Sequence, residues 1–294
     1  MKKEKIIKAG KIAKEVVDYA RGLIKPGMKL LGIAEKIDAK ILDLGGKPAF
    51  PVNLSTNEIA AHSTPAWNDK DVARGLLKVD IGVHVDGWCA DTAFSIDLDN
   101  DDKNRKLIQA AESGLKKALE LFDLGVRLNE IGEVIEKEIR KAGFSPIVNL
   151  SGHQIDQYEL HAGLTIPNVD NSTNTKLEEG LYAVEPFATD GLGKVRDGRP
   201  SGIFQLKGDG NVRDNFAREV LAFIREEYNT LPFCSRWIYK KFGSRGLLAL
   251  RMIKQTGLLH EYEQLVEVSG KNVAQAEHTI LLKDGKIVTT AENI

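Results

Sequence analysis

The chain has few of the residues that build disulfide frameworks or membrane segments. Only two cysteines occur among its 294 residues, Cys89 and Cys234, and no Cys-x-x-Cys pair is present. This usage indicates a reducing cytosol rather than a disulfide scaffold. No stretch reaches ~18 consecutive apolar residues, and the charged N-terminus lacks the continuous apolar core of a signal peptide. We therefore expect a cytoplasmic protein without a membrane partner.

The chain also has no large excess of charge of either sign. The chain carries 41 lysine and arginine side chains against 42 aspartate and glutamate side chains, for a formal net charge of −1. This balance gives no support for a membrane surface or a specific nucleic acid as the partner. The length is sufficient to bury a sizeable core, as one large domain or as two.

The most informative feature that is present is a pair of aspartates on one predicted β-hairpin. Asp86-Gly87 predicts a two-residue turn, because a type I′ turn requires positive φ at both central residues. Folding the chain there places Asp80 and Asp91 on one face as diagonal neighbours, about 7–8 Å apart at the backbone. Gly82 beside Asp91 is expected to leave that face open. Two carboxylates in one open space repel each other unless a cation lies between them, so the hairpin predicts either a metal site or a solvated acidic face.

Helical periodicity and a repeated tetrapeptide predict two related α+β halves. Four amphipathic helices are expected, at 4–24, about 30–44, 101–124 and 128–142. The tetrapeptide Val-Asn-Leu-Ser occurs at 52–55 and again at 148–151, each time after a helix pair and a glycine. A repeated order of helices followed by the same short motif indicates an α/β fold with internal symmetry.

A segment with a mainly helical pattern interrupts the second half. Strands are expected at 180–187, 272–282 and 286–290, with short helices between the first two at 214–228, 235–242 and 244–255. We therefore divide the chain into a main α/β domain, residues 1–189 plus 269–294, and a small helical insertion subdomain, residues 190–268.

Two further carboxylates lie in strands of apolar residues. Glu185 stands between Val184 and Pro186, and Glu277 lies in the run Ala-Gln-Ala-Glu-His. A carboxylate in such a strand is exposed, paired or bound to a metal ion. His153, in the turn-like run Ser-Gly-His-Gln-Ile, is on its own more often a satisfied polar side chain than a ligand.

Taken in order along the chain, these side chains resemble the two-metal site of the methionine aminopeptidases. The matching motifs are Val-Asp80-Ile-Gly, Asp91-Thr-Ala-Phe, Gly-His153-Gln-Ile, Glu185-Pro-Phe and Glu277-His-Thr-Ile. The resemblance covers residues 4–294. The insertion is similar to the helical subdomain of the type II enzymes, and a chain without a long N-terminal extension resembles the archaeal type. The resemblance implies the pita-bread fold, with a pseudo-twofold axis that agrees with the internal repeat.

This resemblance implies two divalent metal ions per chain. Asp91 and Glu277 would bridge them, Asp80 would bind one ion, and His153 with Glu185 would bind the other. Oxygen-rich ligation with one imidazole suits cobalt, manganese, iron or zinc. A hydroxide bound to both ions would attack the first peptide bond, while the free α-amine approaches the ion on the Asp80 side. The implied reaction removes the initiator methionine from nascent proteins and peptides, with Glu185 also moving a proton.

The resemblance also implies further residues around the metals. His62 and His161 match the two active-site histidines of the family that are not ligands, and they are assigned to carbonyl polarisation, stabilisation of the intermediate and proton transfer. Candidates for the apolar slot that holds the methionine side chain are Phe50, Phe187 and Tyr262, with ordinary core packing as their alternative. The remaining histidines are interpreted as structural or exposed: His84, His260 and His278.

Other functions stay open at this point. Prolidase-like and creatinase-like enzymes have the same fold, and prolidases have the same five ligands, but they usually carry an additional N-terminal domain. Non-catalytic binding proteins of this fold have lost ligands, whereas all five are present here. The basic residues of the insertion, including Lys240 and Lys241, form either a solvated face at the pocket rim or a ribosome contact. We expect a monomer that acts on nascent polypeptides.

Overall fold

A computed structural model describes residues 1–291; the last three residues of the predicted main domain, 292–294, lie outside the described residues. The helices are α1 (Lys3–Leu23), α2 (Leu30–Asp43), α3 (Asp102–Leu121), α4 (Leu128–Lys141), α5 (Asn215–Tyr228) and α6 (Ser235–Gln255). The strands of the first half are β1 (Lys47–Pro48), β2 (Asn53–Thr56), β3 (Ile59–Ala61), β4 (Leu76–Val85) and β5 (Trp88–Asp97).

The strands of the second half are more numerous and mostly short. Before the insertion lie β6 (Ser145–Pro146), β7 (Ser151–Ile155), β8 (Thr165–Pro167), β9 (Gly180–Val184) and β10 (Phe187–Thr189). The later strands are β11 (Val195–Leu206), β12 (Phe233–Cys234), β13 (Leu259–Glu267), β14 (Val273–Gln275), β15 (His278–Leu282) and β16 (Lys286–Val288). Within the described residues, none of the helices combines the length and apolarity that crossing a bilayer requires.

The β4–β5 hairpin turns where the sequence predicts. Asp86 and Gly87 both have positive φ, 49° and 81°, as a two-residue turn of this type requires. The register pairs Asp80 with Ala93 and Gly82 with Asp91. One face of the hairpin contributes its buried valines and isoleucine to a core with α1 and α2. The other face, which carries the two aspartates, is therefore directed away from those helices.

The second half repeats this arrangement. Helices α3 and α4 pack their buried leucines, isoleucines and alanines on residues of β9 and β15. These two strands lie in a five-stranded sheet of order β16-β15-β9-β7-β8. Each half thus consists of a helix pair on one face of an antiparallel sheet, as the repeated motif predicts. The two sheets meet at an isolated bridge between Ala93 and Glu277.

Two strands that the sequence predicts as continuous are each divided in the structure. The predicted strand 180–187 becomes β9 and β10, separated by Glu185 and Pro186. Proline has no N–H to donate, so the ladder cannot continue through it. The predicted strand 272–282 becomes β14 and β15, and Ala276 in that gap donates its N–H to Pro186 O at 3.2 Å. Both carboxylates of interest, Glu185 and Glu277, therefore lie in breaks rather than inside a regular ladder.

The segment 190–268 contains long strands as well as helices. Strands β11 and β13 pair over most of their length, and β13 also pairs with β3 of the first half. Strand β11 is not predicted from the sequence, because Gly198, Pro200 and Gly202 are residues that normally interrupt strands. The structure accommodates them with two register shifts. The predicted helices 235–242 and 244–255 form the two halves of α6 on either side of Gly243, whose φ and ψ are not helical. The division into main domain and insertion stays a prediction.

Candidate metal centre

A cavity opens between the two halves and residues of the segment 190–268. Four carboxylates contribute to its wall, Asp80, Asp91, Glu185 and Glu277, together with three histidines, His62, His153 and His161. Its other lining residues include Phe50, Asn53, Leu160, Ile203 and Tyr262. Phe187 lines an adjoining cavity instead. The fold therefore brings together in one cavity every predicted site residue except Phe187.

Backbone contacts hold Glu277 beside the hairpin that carries the aspartates. The Glu277 N–H donates to Ala93 O at 3.0 Å, and the Thr92 hydroxyl donates to Glu277 O at 2.9 Å. Farther along β15, Thr279 Oγ1 accepts from the Asp91 N–H and donates to Asp91 O, both at 2.7 Å. These bonds tie the C-terminal segment to β5, so hydrogen bonds between the two segments fix the positions of Asp91 and Glu277.

The imidazole of His153, on β7, reaches one carboxylate from each half of the fold. Its Nε2 lies 3.6 Å from Asp91 Oδ2 and 3.6 Å from Glu185 Oε1. One donor atom from each of Asp91, His153 and Glu277 lies within 4.8 Å of the others. Two ligands at about 2.1 Å from one ion are at most about 4 Å apart. The spacing of His153 from its carboxylate neighbours therefore fits a shared cation.

The hydrogen bonding of the aspartates points to the same occupant. Asp80 Oδ1 and Asp91 Oδ1 are buried and have no hydrogen-bond partner within the described residues. Buried anionic oxygens are costly unless they are paired or bind a metal ion. The donor set of carboxylate oxygens with one imidazole is typical of divalent transition-metal sites. These residues therefore fit the metal pair that the sequence resemblance implies.

Burial and crowding change the acidity of the carboxyl groups. Burial raises the pKa of Asp80 to about 7. The pKa values of Asp91, Glu185 and Glu277 are raised well above their usual range, by burial first and then by repulsion from the neighbouring carboxylates. Four such groups cannot all be ionised together without compensating positive charge. The protein thus concentrates acidic groups where only cations or protons stabilise them.

Gln275 is a polar residue of this centre that the sequence analysis missed. It is buried on β14, and its side-chain nitrogen donates toward Asp80 Oδ2 at 3.5 Å, Glu185 Oε2 at 3.4 Å and Glu277 Oε2 at 3.4 Å. The available signal was strand parity, since residues 275 and 277 are two apart and point to the same side of an extended chain. In a sequence, an uncharged amide is a less obvious candidate for a metal site than a carboxylate is. In the structure, the Gln275 amide contacts three carboxylates.

The two further histidines line the same cavity as the carboxylate cluster. The ring of His161 meets the ring of His153 edge to face, with 4.5 Å between centroids, and His62 meets Tyr262 in the same way at 5.2 Å. Burial lowers the pKa of His161 to about 3 and also lowers the pKa of His62. Both rings are therefore neutral near pH 7, so each can donate one hydrogen bond and accept another.

His62 also has an unusual backbone conformation. Its φ is +57°, in the left-handed region that non-glycine residues seldom adopt, and its Nδ1 lies 3.3 Å from Glu263 O. Residues held in this region cluster at functional sites, where the surrounding structure fixes them. The conformation directs the ring of His62 from the end of β3 toward the cavity.

The Phe50 ring occupies part of the hairpin face beside Gly82, which the sequence predicts to be open. A Cβ atom added to Gly82 would lie 2.2 Å from the Phe50 ring, so glycine at that position admits the ring against the β4–β5 hairpin. The predicted open face is therefore open in part, since the Phe50 ring covers Gly82 while Asp80 and Asp91 line the cavity. Phe187 is buried in a small core with Ile147 and Val195. Tyr262 lines the main cavity, and its hydroxyl donates to Gln205 Oε1 at 2.7 Å.

The remaining histidines do not line the main cavity. His84 is buried, and its Nδ1 accepts a hydrogen bond from Gly87 N–H at 3.0 Å. His278 Nδ1 lies 2.9 Å from the Thr290 hydroxyl, and His260 is an exposed residue of β13. Their surroundings agree with the structural or exposed interpretation given to them. Cys89 is buried in an apolar cluster beside Trp88, as expected for a small hydrophobic residue.

The chain is similar over most of its length to a known protein family and to known proteins. The profile of metallopeptidase family M24 matches residues 4–220. A protein of Pyrococcus horikoshii named methionine aminopeptidase is 47% identical over 294 residues, and the alignment covers 98% of this chain and 99% of that protein. Similarity at this level and coverage extends through the cavity-lining residues of both halves.

Solved structures add two similarities in fold. A thermophilic Arx1 aligns with a TM-score of 0.83 at 17% identity, covering 99% of this chain and 91% of that chain. A methionine aminopeptidase from Thermotoga maritima aligns with a TM-score of 0.71 at 23% identity, covering 98% of this chain and 96% of that chain. Identities this low establish a shared fold and no more. The shared fold confirms the expected α/β pita-bread architecture with its internal repeat.

Proposed function

The chain belongs to metallopeptidase family M24, and we propose that it is a methionine aminopeptidase. Such an enzyme removes the N-terminal methionine from peptides and new proteins. The observation that carries the proposal is the buried centre, in which four carboxylates and His153 converge from both halves of the fold. The relative of Pyrococcus horikoshii that is 47% identical over nearly the whole chain has the same named activity.

We assign the metal ligands residue by residue. Asp91 and Glu277 would help to hold both of two divalent ions, Asp80 would help to hold one of them, and His153 with Glu185 would help to hold the other. The unpartnered oxygens of Asp80 and Asp91 support this assignment, as does the position of His153 Nε2 at 3.6 Å from two carboxylates. Cobalt, manganese, iron and zinc all suit this donor set. When bound, such an ion pair supplies a nucleophilic water near neutral pH and polarises the peptide carbonyl.

The protein side chains around the ligands handle charge and protons. We assign His161 and His62 to the carbonyl oxygen, because a neutral imidazole can donate its N–H where negative charge develops in the transition state. Glu185 lines the same cavity, so its carboxylate can accept a proton from the attacking water and then pass it to the leaving amine. Binding the substrate in this buried cavity also excludes bulk water, which strengthens each of these interactions.

The apolar part of the cavity suits the methionine side chain. Phe50, Leu160, Ile203 and Tyr262 line it beside the carboxylates. Phe187 lines the adjoining cavity with His62 and His161, so we assign it to the side on which the rest of the peptide leaves the centre.

We further propose that the protein is a monomer that acts on nascent chains in the cytoplasm. Cys89 and Cys234 are buried and unpaired, as is usual for proteins of reducing compartments. For the basic residues of the insertion, contacts support a solvated rim. Lys241 Nζ lies 5.4 Å above the Phe223 ring, and Lys240 and Lys241 both line a groove against α2. Unchanged ribosome binding after charge reversal at both lysines would support the solvated rim, whereas lost binding would support a ribosome contact.

The function is tested with peptides of defined N-terminus. Protein reconstituted with cobalt, manganese, iron or zinc is expected to release methionine from Met-Gly peptides, and chelation is expected to stop this release. The matched variant Glu277→Gln keeps the size of the side chain but removes a proposed bridge, so both metal content and turnover should fall. Preferential cleavage of dipeptides ending in proline would instead assign the prolidase activity. Absence of stoichiometric metal would favour a binding protein.

A further inference from the structure

Asn53 is a buried amide in the cavity wall to which the proposed function assigns no role. Its side chain projects from β2 and is only 5% exposed. The Nδ2 group donates to Pro51 O at 2.9 Å. Because only the nitrogen end of the amide can donate to a carbonyl, this bond fixes which atom is at the free end. That atom, Oδ1, is buried and has no hydrogen-bond partner within the described part of the chain.

The position of Asn53 in the sheet places it beside a proposed metal ligand. Strands β2 and β4 are antiparallel, and their register pairs Asn53 directly with Asp80. Residues paired in this way project from the same face with Cβ atoms about 5 Å apart. Both side chains line the same cavity. The free amide oxygen therefore lies next to the Asp80 end of the carboxylate cluster.

A buried acceptor without a partner is unfavourable, so the arrangement indicates that a donor arrives with the ligand. The first residue of a methionyl peptide offers few donors, because its thioether side chain has none. Its α-amine carries two or three N–H bonds, and the next donor is the amide N–H of the following residue. Of these groups, the α-amine is the one that the acidic Asp80 end of the cavity attracts.

We propose that Asn53 Oδ1 accepts a hydrogen bond from the free α-amine of the substrate. This inference rests on the proposed function and adds a residue that recognises an unblocked N-terminus. The amide suits the task because it accepts a hydrogen bond without adding another negative charge beside four carboxylates. A carboxylate at this position would compete for the cations, and an aliphatic side chain would leave the amine without this acceptor.

The test compares ligands that differ only in the amine. Binding of L-methionine and of its desamino analogue, 4-(methylthio)butanoate, is measured by calorimetry on the metal-loaded protein and on Asn53→Leu, which has a similar size but no acceptor. We expect Asn53→Leu to weaken L-methionine binding by about tenfold or more, with the desamino analogue changed by less than about twofold. Asn129→Leu is the matched control, since Asn129 Oδ1 is also buried without a partner among residues 1–291 but lies on α4, outside the cavity lining.

Each other outcome has a distinct meaning. Equal weakening of both ligands would make Asn53 a structural residue and overturn the proposal. A lower metal content of dialysed Asn53→Leu would make Asn53 a metal ligand, which also overturns it. If leucine does not fit, Asn53→Ala removes the same oxygen without demanding space, and the same comparison applies. Failure of the unmodified protein to cleave methionyl peptides would refute the proposed function itself, whereas normal cleavage with unchanged amine discrimination in the variant would refute only the role of Asn53.

Discussion

The side-chain nitrogen of Gln275 lies 3.4 Å from Oε2 of Glu277, two residues farther along the chain. The same nitrogen lies at similar distances from Asp80 and Glu185. An amide nitrogen has two hydrogens, so three acceptors share two donors and none of the contacts is short. Gln275 thus connects carboxylates from three separate segments without itself carrying a charge that would displace a cation.

We predict that Gln275→Met weakens metal binding by about 10- to 100-fold, because groups that orient metal ligands typically contribute this much. Methionine keeps the length and volume of the side chain but cannot donate. Affinity is measured by competition with a chelator of known strength. Gln264→Met is the control, since Gln264 is equally buried but donates to Ser63 Oγ at 3.0 Å instead of to the carboxylates. Equal metal affinity in Gln275→Met and in the unmodified protein would contradict the prediction.

Features with a local cause could be predicted from the sequence. The turn at Asp86-Gly87 and the pairing of Gly82 with Asp91 follow from turn chemistry and strand alternation, and both occur as predicted. The helix pairs α1–α2 and α3–α4 follow from apolar spacing in the same way. Strand β11 could not be predicted, because its glycines and proline are tolerated only through bulges that pairing with β13 supports.

The candidate site depended on a different kind of information. No local pattern brings Glu185 and Glu277 to the hairpin; their expected convergence came from a family resemblance, and the fold places both in the same cavity. Contacts between distant segments were beyond sequence reasoning. The ring of Phe50 against Gly82 and the shared amide of Gln275 both depend on how separate strands pack. Sequence reasoning therefore identified the charged residues and Phe50, but it missed the contact of Phe50 with Gly82 and the amide of Gln275.

Gly82→Ala is expected to destabilise the protein by about 1–3 kcal/mol, the usual cost of overpacking. The added methyl group would lie 2.2 Å from the Phe50 ring, so the ring or the strand must move. Urea unfolding gives the free energy of unfolding. Gly32→Ala on α2 is the control, because, its own helix backbone and chain neighbours aside, no atom of the described residues lies within 4 Å of its added Cβ. This control should be neutral or stabilising by up to about 1 kcal/mol, and similar behaviour of both variants would mean that the contact with Phe50 is not tight.

His161→Ala is expected to lower turnover of methionyl peptides by about 10²–10³-fold, the usual effect of removing a donor to a developing oxyanion. The metal content should stay the same, because His161 packs edge to face against His153 and is not itself one of the proposed ligands. Turnover and metal content are measured on the same sample. Loss of metal from the variant would show that His161 is a ligand, and unchanged turnover would remove it from the mechanism.

His84 predicts a specific acid sensitivity of folding. Burial, followed by repulsion from Lys47, lowers the pKa of His84 to about 4 in the folded protein, and the neutral ring accepts a hydrogen bond from Gly87 N–H. As pH falls from about 6.5 toward 4, the unfolded chain binds a proton that the folded chain does not, so stability falls by up to about 3 kcal/mol. In His84→Asn, an amide oxygen can accept the same bond without titrating. The loss of unfolding free energy between pH 7 and pH 4.5 should therefore be smaller in this variant, and equal losses in both proteins would show that His84 titrates normally.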